Sequence, residues 1–201
     1  MKVLVHHDAS DGFVAEVRAA APADADLVFV AESDRESLAR EIADADVLFH
    51  VLEPLDRDTL ARGGRLRLVQ KIGVGVNTID LDACRSLGIG VANMPGTNTQ
   101  AVVEMTLALM LAARRRLAEF DRDLRRGDGF PANPKTLDAV TELSGSTVGL
   151  VGWGAVARSV ANVLDAFGAS TLVHTRRPDS VEGREIVTFD ELVARCDLVS
   201  L

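Results

Sequence analysis

Before residue 95, short apolar runs alternate with stretches of helical periodicity. The apolar runs predict five β-strands, at residues 3–5, 27–30, 47–51, 66–72 and 89–92. The segments 33–43 and 81–87 between them carry apolar residues at helical spacing and end near Asp, Asn or Gly. Strands that alternate with helices in this way predict a doubly wound, parallel α/β domain.

The pattern changes after Asn93-Met-Pro-Gly96, a turn sequence that we interpret as a hinge. Thr97 and Gln100 have the spacing of a capping box, which predicts the start of a long helix over residues 101–120. Because the first turns of this helix are apolar nearly all round, we expect burial on several faces, between domains or between subunits. An ordinary core helix is the alternative. The segment 127–145 contains prolines and glycines and predicts a connecting loop.

A strand, a glycine turn and a helix follow this loop. The apolar strand 147–151 leads into Gly152-x-Gly154-x-x-Ala157, and an amphipathic helix is predicted over residues 155–167. Gly152 permits a tight turn, Gly154 has no Cβ to block a pyrophosphate, and Ala157 is small enough for close packing of helix and strand. The amides at the helix start would then face the phosphates, with the positive end of the helix dipole behind them. The alternative is a glycine-rich turn without a ligand.

The end of the next strand, 171–175, bears on the choice of cofactor. An acidic residue there would bind the ribose 2′-hydroxyl of NAD, whereas this chain has Thr175, Arg176 and Arg177. A hydroxyl and two guanidiniums suit a 2′-phosphate, so NADP is favoured over NAD. Two solvated arginines beside a strand end that accepts NAD are the alternative. The predicted cofactor-binding residues of the turn and the strand end are Gly152, Trp153, Gly154, Ala155, Val156, Thr175, Arg176 and Arg177.

Composition and charge argue against several classes of protein. The chain has 201 residues, of which 47% are hydrophobic and 4% aromatic, enough for one sizeable core or two small ones. A formal net charge of −8 argues against a nucleic acid or an anionic membrane as partner. Cys84 and Cys196 lack disulfide or metal-ligand spacing, and no apolar run reaches the length of a membrane span. We therefore expect a cytoplasmic protein without a metal site.

Three sequence blocks resemble the D-isomer-specific 2-hydroxyacid dehydrogenases over essentially the whole chain. They are Lys71-Ile-Gly-Val-Gly-Val-Asn-Thr-Ile-Asp-Leu-Asp82, Val91-Ala-Asn-Met-Pro-Gly96 with its continuation through Glu104 to Arg114, and Leu143-Ser-Gly-Ser-Thr-Val-Gly-Leu-Val-Gly-Trp-Gly154. The resemblance implies an α/β fold with a flavodoxin-like substrate domain over residues 1–96 and an incomplete Rossmann dinucleotide-binding domain over residues 97–201. It also implies hydride transfer between NAD(P)H and a small 2-oxo or 2-hydroxy acid, in a homodimer formed through the helix 101–120.

The resemblance assigns roles to further residues. The loop Val74-Gly75-Val76 is implied to offer backbone amides to the substrate carboxylate, and Thr106 to lie on the cofactor side of the cleft. A Gly-rich turn after a parallel strand can present convergent N–H donors to an anion, and a plain tight turn is the alternative. Two positions depart from the family pattern. Ala155 replaces a frequent arginine, which removes a side-chain contact to phosphate, and Asn77 replaces a usual aspartate.

No catalytic residue is assigned in this chain. Residues 147–201 predict at most four of the six strands of a dinucleotide domain, at 147–151, 171–175, 185–187 and 197–201. The arginine, glutamate and histidine that the family uses match motifs expected beyond Leu201, so the 201-residue chain alone is predicted to be inactive. With the strand 197–201 unpaired on one side, the isolated chain is also expected to associate.

The four histidines offer no substitute for the catalytic set. His174 belongs to the adenosine end of the predicted site and is expected to pack beside the adenine or the strand. His6, His7 and His50 end strands, where a solvated or hydrogen-bonded imidazole is the expectation. A substrate contact from His50 stays open.

Three hypotheses of function follow. The leading hypothesis is the N-terminal part of an NAD(P)-dependent 2-hydroxyacid dehydrogenase. The alternative is a truncated paralogue without catalysis that binds nucleotide or pairs with a partner. A third hypothesis keeps the architecture and changes the chemistry, as in relatives that oxidise formate or phosphite.

Overall fold

The structure is a computed structural model that describes residues 1–129 and 134–201. The chain divides into two compact units, residues 1–97 and residues 98–201. Each unit carries a parallel sheet of its own. The predicted loop 127–145 lies partly outside the described residues, which exclude 130–133.

Unit 1, all of whose residues are described, is a five-stranded parallel sheet with four α-helices between the strands. In chain order its elements are β1 (Lys2–His6), α1 (Asp11–Ala20), β2 (Asp26–Val30), α2 (Arg35–Glu41), β3 (Val47–His50), α3 (Arg57–Ala61), β4 (Leu68–Lys71), α4 (Leu81–Leu87) and β5 (Gly90–Ala92). The strand order β2-β1-β3-β4-β5 is that of a flavodoxin-like fold, which confirms the predicted fold class. Each predicted strand is present, with its ends within two residues of those expected.

Short polar side chains explain where the helices of unit 1 begin. The N-cap of α2, α3 and α4 is an aspartate that accepts a hydrogen bond from the amide three residues on: Asp34, Asp56 and Asp80. Ser10 caps α1 in the same way. Apolar periodicity does not predict α1, which buries no residue fully, or α3, which is five residues long.

The sheet of unit 1 changes character along its strands. The residues in the middle of the adjacent strands β1, β3 and β4 supply buried aliphatic side chains to the core, among them Leu4, Leu48 and Val69. The last residues of the same strands are polar and pair side by side in register: His6, His50 and Lys71. Because the strands are parallel, three titratable groups meet at the carboxyl edge of the sheet.

Unit 2 carries a second parallel sheet, of four strands within its described residues. Its elements are α5 (Thr99–Arg114), α6 (Leu117–Arg126), α7 (Pro134–Asp138), β6 (Thr147–Val151), α8 (Ala155–Ala166), β7 (Ser170–His174), β8 (Glu185–Ile186), α9 (Phe189–Arg195) and β9 (Leu198–Ser200). The order β8-β7-β6-β9 matches the first four strands of a Rossmann sheet. This confirms the predicted incomplete Rossmann fold, with β9 at one edge.

The prediction of one continuous helix over residues 101–120 is wrong. The chain forms two helices, α5 and α6, which meet at Arg116, a residue with a φ of 51°. A left-handed residue cannot continue a right-handed helix, so the run of arginines interrupts it. The predicted loop 127–145 also contains a helix, α7.

The predicted capping box is wrong as well. Thr97 donates its hydroxyl hydrogen to Met94 O at 3.0 Å, and Gln100 donates to Glu104 at 2.8 Å. The N-cap of α5 is Asn98, whose side chain accepts no capping hydrogen bond. The Thr97 hydroxyl therefore bonds to the preceding turn, and no side chain of the described residues caps α5.

One face of α5 is buried, not several. Val103 and Met110 pack into the cluster that α5 shares with α8. On the opposite face, Met105 and Leu109 are 60% and 63% exposed. Within the described chain α5 therefore buries one face, and burial of its other faces between domains or between subunits stays a prediction. Among the described residues, no helix has the length and the apolar character needed to cross a bilayer.

Candidate functional site

The glycine turn joins β6 to α8 in unit 2. Gly152 has a φ of 103°, a conformation that favours glycine, and its amide donates to His174 O at 2.7 Å. Gly154 is the N-cap of α8, which begins at Ala155 as predicted. Ala157 is partly buried against the α5–α8 cluster, in agreement with the close packing expected of a small residue there.

The fold itself does not require glycine at position 154. Gly154 has a φ of −83°, which any residue can adopt. A Cβ built on Gly154 would have no heavy atom of the protein within 4 Å. The backbone of the turn is therefore open on the side where a side chain would project. An open backbone at this glycine fits the close approach of a phosphate.

Backbone amides are free at the start of α8. In the described part of the chain, the N–H groups of Gly154, Ala155 and Val156 donate to no protein acceptor. With the positive end of the helix dipole behind them, these amides fit an anionic group. Trp153 is buried in the α5–α8 cluster, and its carbonyl accepts a hydrogen bond from Arg158 Nη1 at 3.3 Å.

Two cations follow the end of β7. Arg176 and Arg177 are exposed, and within the described residues neither guanidinium has a hydrogen bond or an ion pair. The amide of Arg177 donates to Thr175 Oγ1 at 3.2 Å, so the threonine hydroxyl shapes the turn after the strand. His174 Nδ1 lies 3.1 Å from Val187 O. The expected packing of His174 beside the strand is confirmed.

Thr106 lies on α5, the helix that packs against α8. Its hydroxyl donates to Val102 O at 2.8 Å, one turn earlier in the same helix. The hydroxyl hydrogen is used inside α5, and the oxygen can still accept a hydrogen bond. The role of Thr106 at the cofactor stays a prediction.

The loop after β4 in unit 1 has occupied carbonyls and free amides. The carbonyl of Val74 accepts from Asn93 Nδ2 at 2.8 Å, and those of Gly73 and Val76 accept backbone amides at 2.9 and 3.0 Å. Within this fully described unit, the N–H groups of Val74, Gly75 and Val76 donate to no protein acceptor. A loop with this pattern can bind an anion through its backbone.

A buried polar cluster lies at the two ends of this loop, and the sequence analysis missed it. His50 Nε2 lies 3.0 Å from Thr78 Oγ1, and Lys71 Nζ donates to the same hydroxyl at 3.2 Å. Burial, and then the charge of Lys71, lowers the pKa of His50 to about 4. Burial also lowers the pKa of Lys71. The sequence signal was present, since polar residues end two neighbouring strands.

The other histidines of unit 1 are held in the fold. His6 is buried, its Nε2 lies 3.3 Å from Glu32 O, and its ring stacks on that of His50 with centroids 6.3 Å apart. His50 is 0% exposed, so of the expected solvated or hydrogen-bonded state His6 and His50 show the hydrogen-bonded one. The Nδ1 atoms of His6, His7 and His50 have no hydrogen-bond partner. In the ranges 1–129 and 134–201, no group of three or more His, Cys, Asp or Glu residues could hold a metal ion.

A flavodoxin-like unit followed by a Rossmann-type unit with this glycine turn defines a two-unit α/β protein of the dehydrogenase type. The chain belongs to the D-isomer specific 2-hydroxyacid dehydrogenase family, because the model of that family's catalytic domain matches residues 3–187. The resemblance stated from the three sequence blocks is confirmed.

Named relatives agree with this assignment. The glyoxylate reductase of Aeropyrum pernix is 35% identical over 175 residues, which are 83% of this chain and 52% of the relative. The D-3-phosphoglycerate dehydrogenase of Mycobacterium leprae is 34% identical over 177 residues, 84% of this chain and 32% of the relative. The crystal structure of the TT0316 protein from Thermus thermophilus has a TM-score of 0.87 and 29% identity, over 100% of this chain and 64% of that chain. The chain thus spans about half or less of the two curated relatives.

Proposed function

We propose that this chain is the N-terminal part of an NAD(P)-dependent oxidoreductase that interconverts 2-oxo and 2-hydroxy acids. The observation that carries the proposal is the turn at Gly154, where an open backbone meets free amides at the start of a twelve-residue helix. Membership of the 2-hydroxyacid dehydrogenase family supports the same conclusion. The glyoxylate reductase and the phosphoglycerate dehydrogenase among its relatives act on acids of this class.

Unit 2 binds the cofactor in this proposal. The free amides of Gly154, Ala155 and Val156 hold the pyrophosphate, Gly152 and Trp153 form the turn that presents them, and Thr106 contributes from α5. Thr175, Arg176 and Arg177 bind the ribose 2′-phosphate, which makes NADP the preferred cofactor over NAD. The two guanidiniums support this preference because they carry no protein partner within the described residues and end the strand where the ribose is bound in Rossmann folds.

Unit 1 binds the acid in this proposal. The free amides of Val74, Gly75 and Val76 hold the substrate carboxylate, since their neighbouring carbonyls are already occupied. When bound, the nicotinamide supplies or accepts the hydride. The protein must then polarise the carbonyl and supply a proton, which requires a cation and an acid with a pKa near neutrality.

None of the four histidines of this chain is placed for that proton transfer. His50 is buried with a pKa lowered to about 4, mainly by burial, so it is neutral and poorly accessible at neutral pH. His6 is buried against Glu32 O, and His174 is bonded to Val187 O. His7 packs its ring against Phe13, with centroids 5.5 Å apart, and forms no ion pair with a carboxylate within unit 1. The 201-residue chain alone is therefore proposed to bind without turnover.

The complete enzyme is proposed to be a cytoplasmic homodimer. The exposed apolar side chains of α5, Met105 and Leu109, support a second subunit on that face. The free thiols Cys84 and Cys196 support a reducing compartment.

Calorimetric titration with NADPH and NADH tests the cofactor proposal on the 201-residue chain. Gly154→Ala adds a methyl group that meets no protein atom, so we expect unchanged melting and NADPH binding weakened at least about tenfold through lost access to the amides. Gly12→Ala in α1 is the matched control and should leave binding unchanged. If the folded wild-type chain binds neither nucleotide, the proposal is wrong.

A further inference from the structure

One lysine side chain joins the two ends of the loop that follows β4. Lys71 is the last residue of β4, and its Nζ donates to Thr78 Oγ1 at 3.2 Å. The same ammonium donates to the carbonyl of Val51, just after β3. A Cβ built on Gly73 would lie 3.6 Å from Lys71 Cε, so the lysine side chain runs along the loop backbone. Lys71 therefore ties residues 72–78 to two strands at once.

The ammonium of Lys71 is buried and forms no ion pair within unit 1, although the more distant carboxylate of Glu32 attracts it electrostatically. Lys71 is 6% exposed, and within fully described unit 1 no carboxylate oxygen lies within 4.0 Å of its Nζ. Its two acceptors, a carbonyl and a hydroxyl, are neutral. A buried cation with neutral partners contributes little to stability compared with an apolar side chain of the same size. Its place beside free backbone amides suggests a role in the site.

We propose that Lys71 is the positioning residue of the Val74–Val76 loop. Through Thr78 and Val51 it holds the three free amides in one arrangement, and its charge adds to their attraction for a carboxylate. This inference rests on the proposed function of that loop as the site of the substrate carboxylate. Thr78 is the second positioning residue, because its hydroxyl is also hydrogen-bonded to His50 Nε2 and so anchors the far end of the loop to β3.

Two variants separate the tether from the charge. Thr78→Val removes the hydroxyl at nearly constant shape and keeps the ammonium, whereas Lys71→Met removes both the tether and the charge. Lys2→Met is the control, because Lys2 is also largely buried in unit 1 but binds Glu41 and Asp44. Amide hydrogen exchange of residues 73–77, in the full 201-residue chain, reports the order of the loop without any ligand. Titration with oxamate, a carboxylate analogue of a 2-oxo acid, reports anion binding.

We expect exchange at residues 73–77 to rise by about tenfold or more in both Lys71→Met and Thr78→Val, because each removes the hydrogen bond between Lys71 and Thr78 together with one other, and to stay unchanged in Lys2→Met. Oxamate affinity should fall further in Lys71→Met than in Thr78→Val. Unchanged loop exchange in folded Thr78→Val overturns the positioning role, and this variant decides the question if Lys71→Met does not fold. If the wild-type chain binds no oxamate, the proposed function of the loop and the role of the Lys71 charge are both wrong. The exchange data still test whether Lys71 and Thr78 order the loop.

Discussion

Gly149 in β6 lies directly beneath the side chain of Leu192 in α9. A Cβ built on Gly149 would be 2.6 Å from Leu192 Cγ and closer still to its Cδ2, nearer than atoms can pack. Leu192 is fully buried at this contact. The absence of a side chain at Gly149 therefore allows α9 to pack against the sheet that carries the glycine turn.

Gly149→Ala is expected to lower the free energy of unfolding by about 1–3 kcal/mol, because the added methyl group overpacks the contact between helix and strand. Urea unfolding of the purified chain measures the change. In a double-mutant cycle with Leu192→Ala, the two losses should sum to more than the loss in the double variant, since the smaller side chain relieves the clash. Additive losses would contradict the packing explanation.

The cations after β7 are expected to select the cofactor. Replacing Arg176 and Arg177 together by Gln should weaken NADPH binding by about tenfold or more, because each guanidinium would lose a charge-assisted bond to the 2′-phosphate. NADH binding should change little. Arg122→Gln together with Arg125→Gln, which removes two exposed arginines of α6 that pair with Asp123 and Asp121, is the control for net charge. Tighter binding of NADH than of NADPH by the wild type would contradict the NADP preference.

Neutral His50 is expected to make unit 1 sensitive to mild acid. Its pKa is lowered from 6.5 to about 4 in the folded chain, mainly by burial, so below pH 6.5 the unfolded state binds a proton that the folded state does not. The free energy of unfolding is therefore unaffected by His50 above pH 6.5 and decreases as the pH falls from 6.5 towards 4. From about pH 7 to about pH 5 the loss should be of the order of 2 kcal/mol, measured by urea unfolding.

His50→Gln is the matched variant for the pH experiment, because it removes the titration and retains a polar side chain. Its stability should fall less than that of the wild type over the same interval. The carboxyls of Asp34 and Asp56 are present in both proteins and stay ionised in the folded state between pH 7 and pH 5, since the amides of Ser37 and Thr59 lower their pKa values below 3.8. Equal pH dependence of the two proteins would show that His50 does not carry the effect.

The 201-residue chain is expected to give no steady-state oxidation of NADPH with glyoxylate or another 2-oxo acid. His6, His50 and His174 are buried or bonded to a backbone carbonyl, and within the described residues no histidine forms an ion pair with a carboxylate, so the chain supplies no imidazole held by a carboxylate as proton donor. Nicotinamide absorbance measures the rate, with a purified glyoxylate reductase as positive control. Measurable turnover would mean that the catalytic residues lie within this chain.

The exposed face of α5 is expected to mediate self-association. Met105→Lys together with Leu109→Lys should shift the protein towards monomer in sedimentation experiments without lowering its melting temperature, because both side chains are exposed. Val193→Lys, on the exposed surface of α9, is the control. An unchanged oligomeric state in the α5 variant, or a wild type that is monomeric at every concentration, would contradict the proposed dimer.

Local patterns predicted much of the fold. The strands of unit 1 follow from short apolar runs, and the turn at Gly152 follows from a glycine motif between a strand and a helix. The wrong predictions concern local conformations and hydrogen bonds that depend on the neighbouring backbone. Arg116 adopts a left-handed φ of 51° at the helix break, which no apolar periodicity records. The Thr97 hydroxyl bonds to Met94 O in place of capping α5.

By itself the sequence determined the order of the strands, the family, and the residues of the glycine turn, because each depends on contiguous residues. Only the tertiary structure decided which distant side chains share an environment. Lys71 and Thr78 meet near His50 because parallel pairing of β3 with β4 aligns their carboxyl ends and the following loop folds back. The contact of Gly149 with Leu192 likewise depends on how α9 packs on β6. Burial and its effect on pKa arise from such packing, so they could not be predicted from residue order alone.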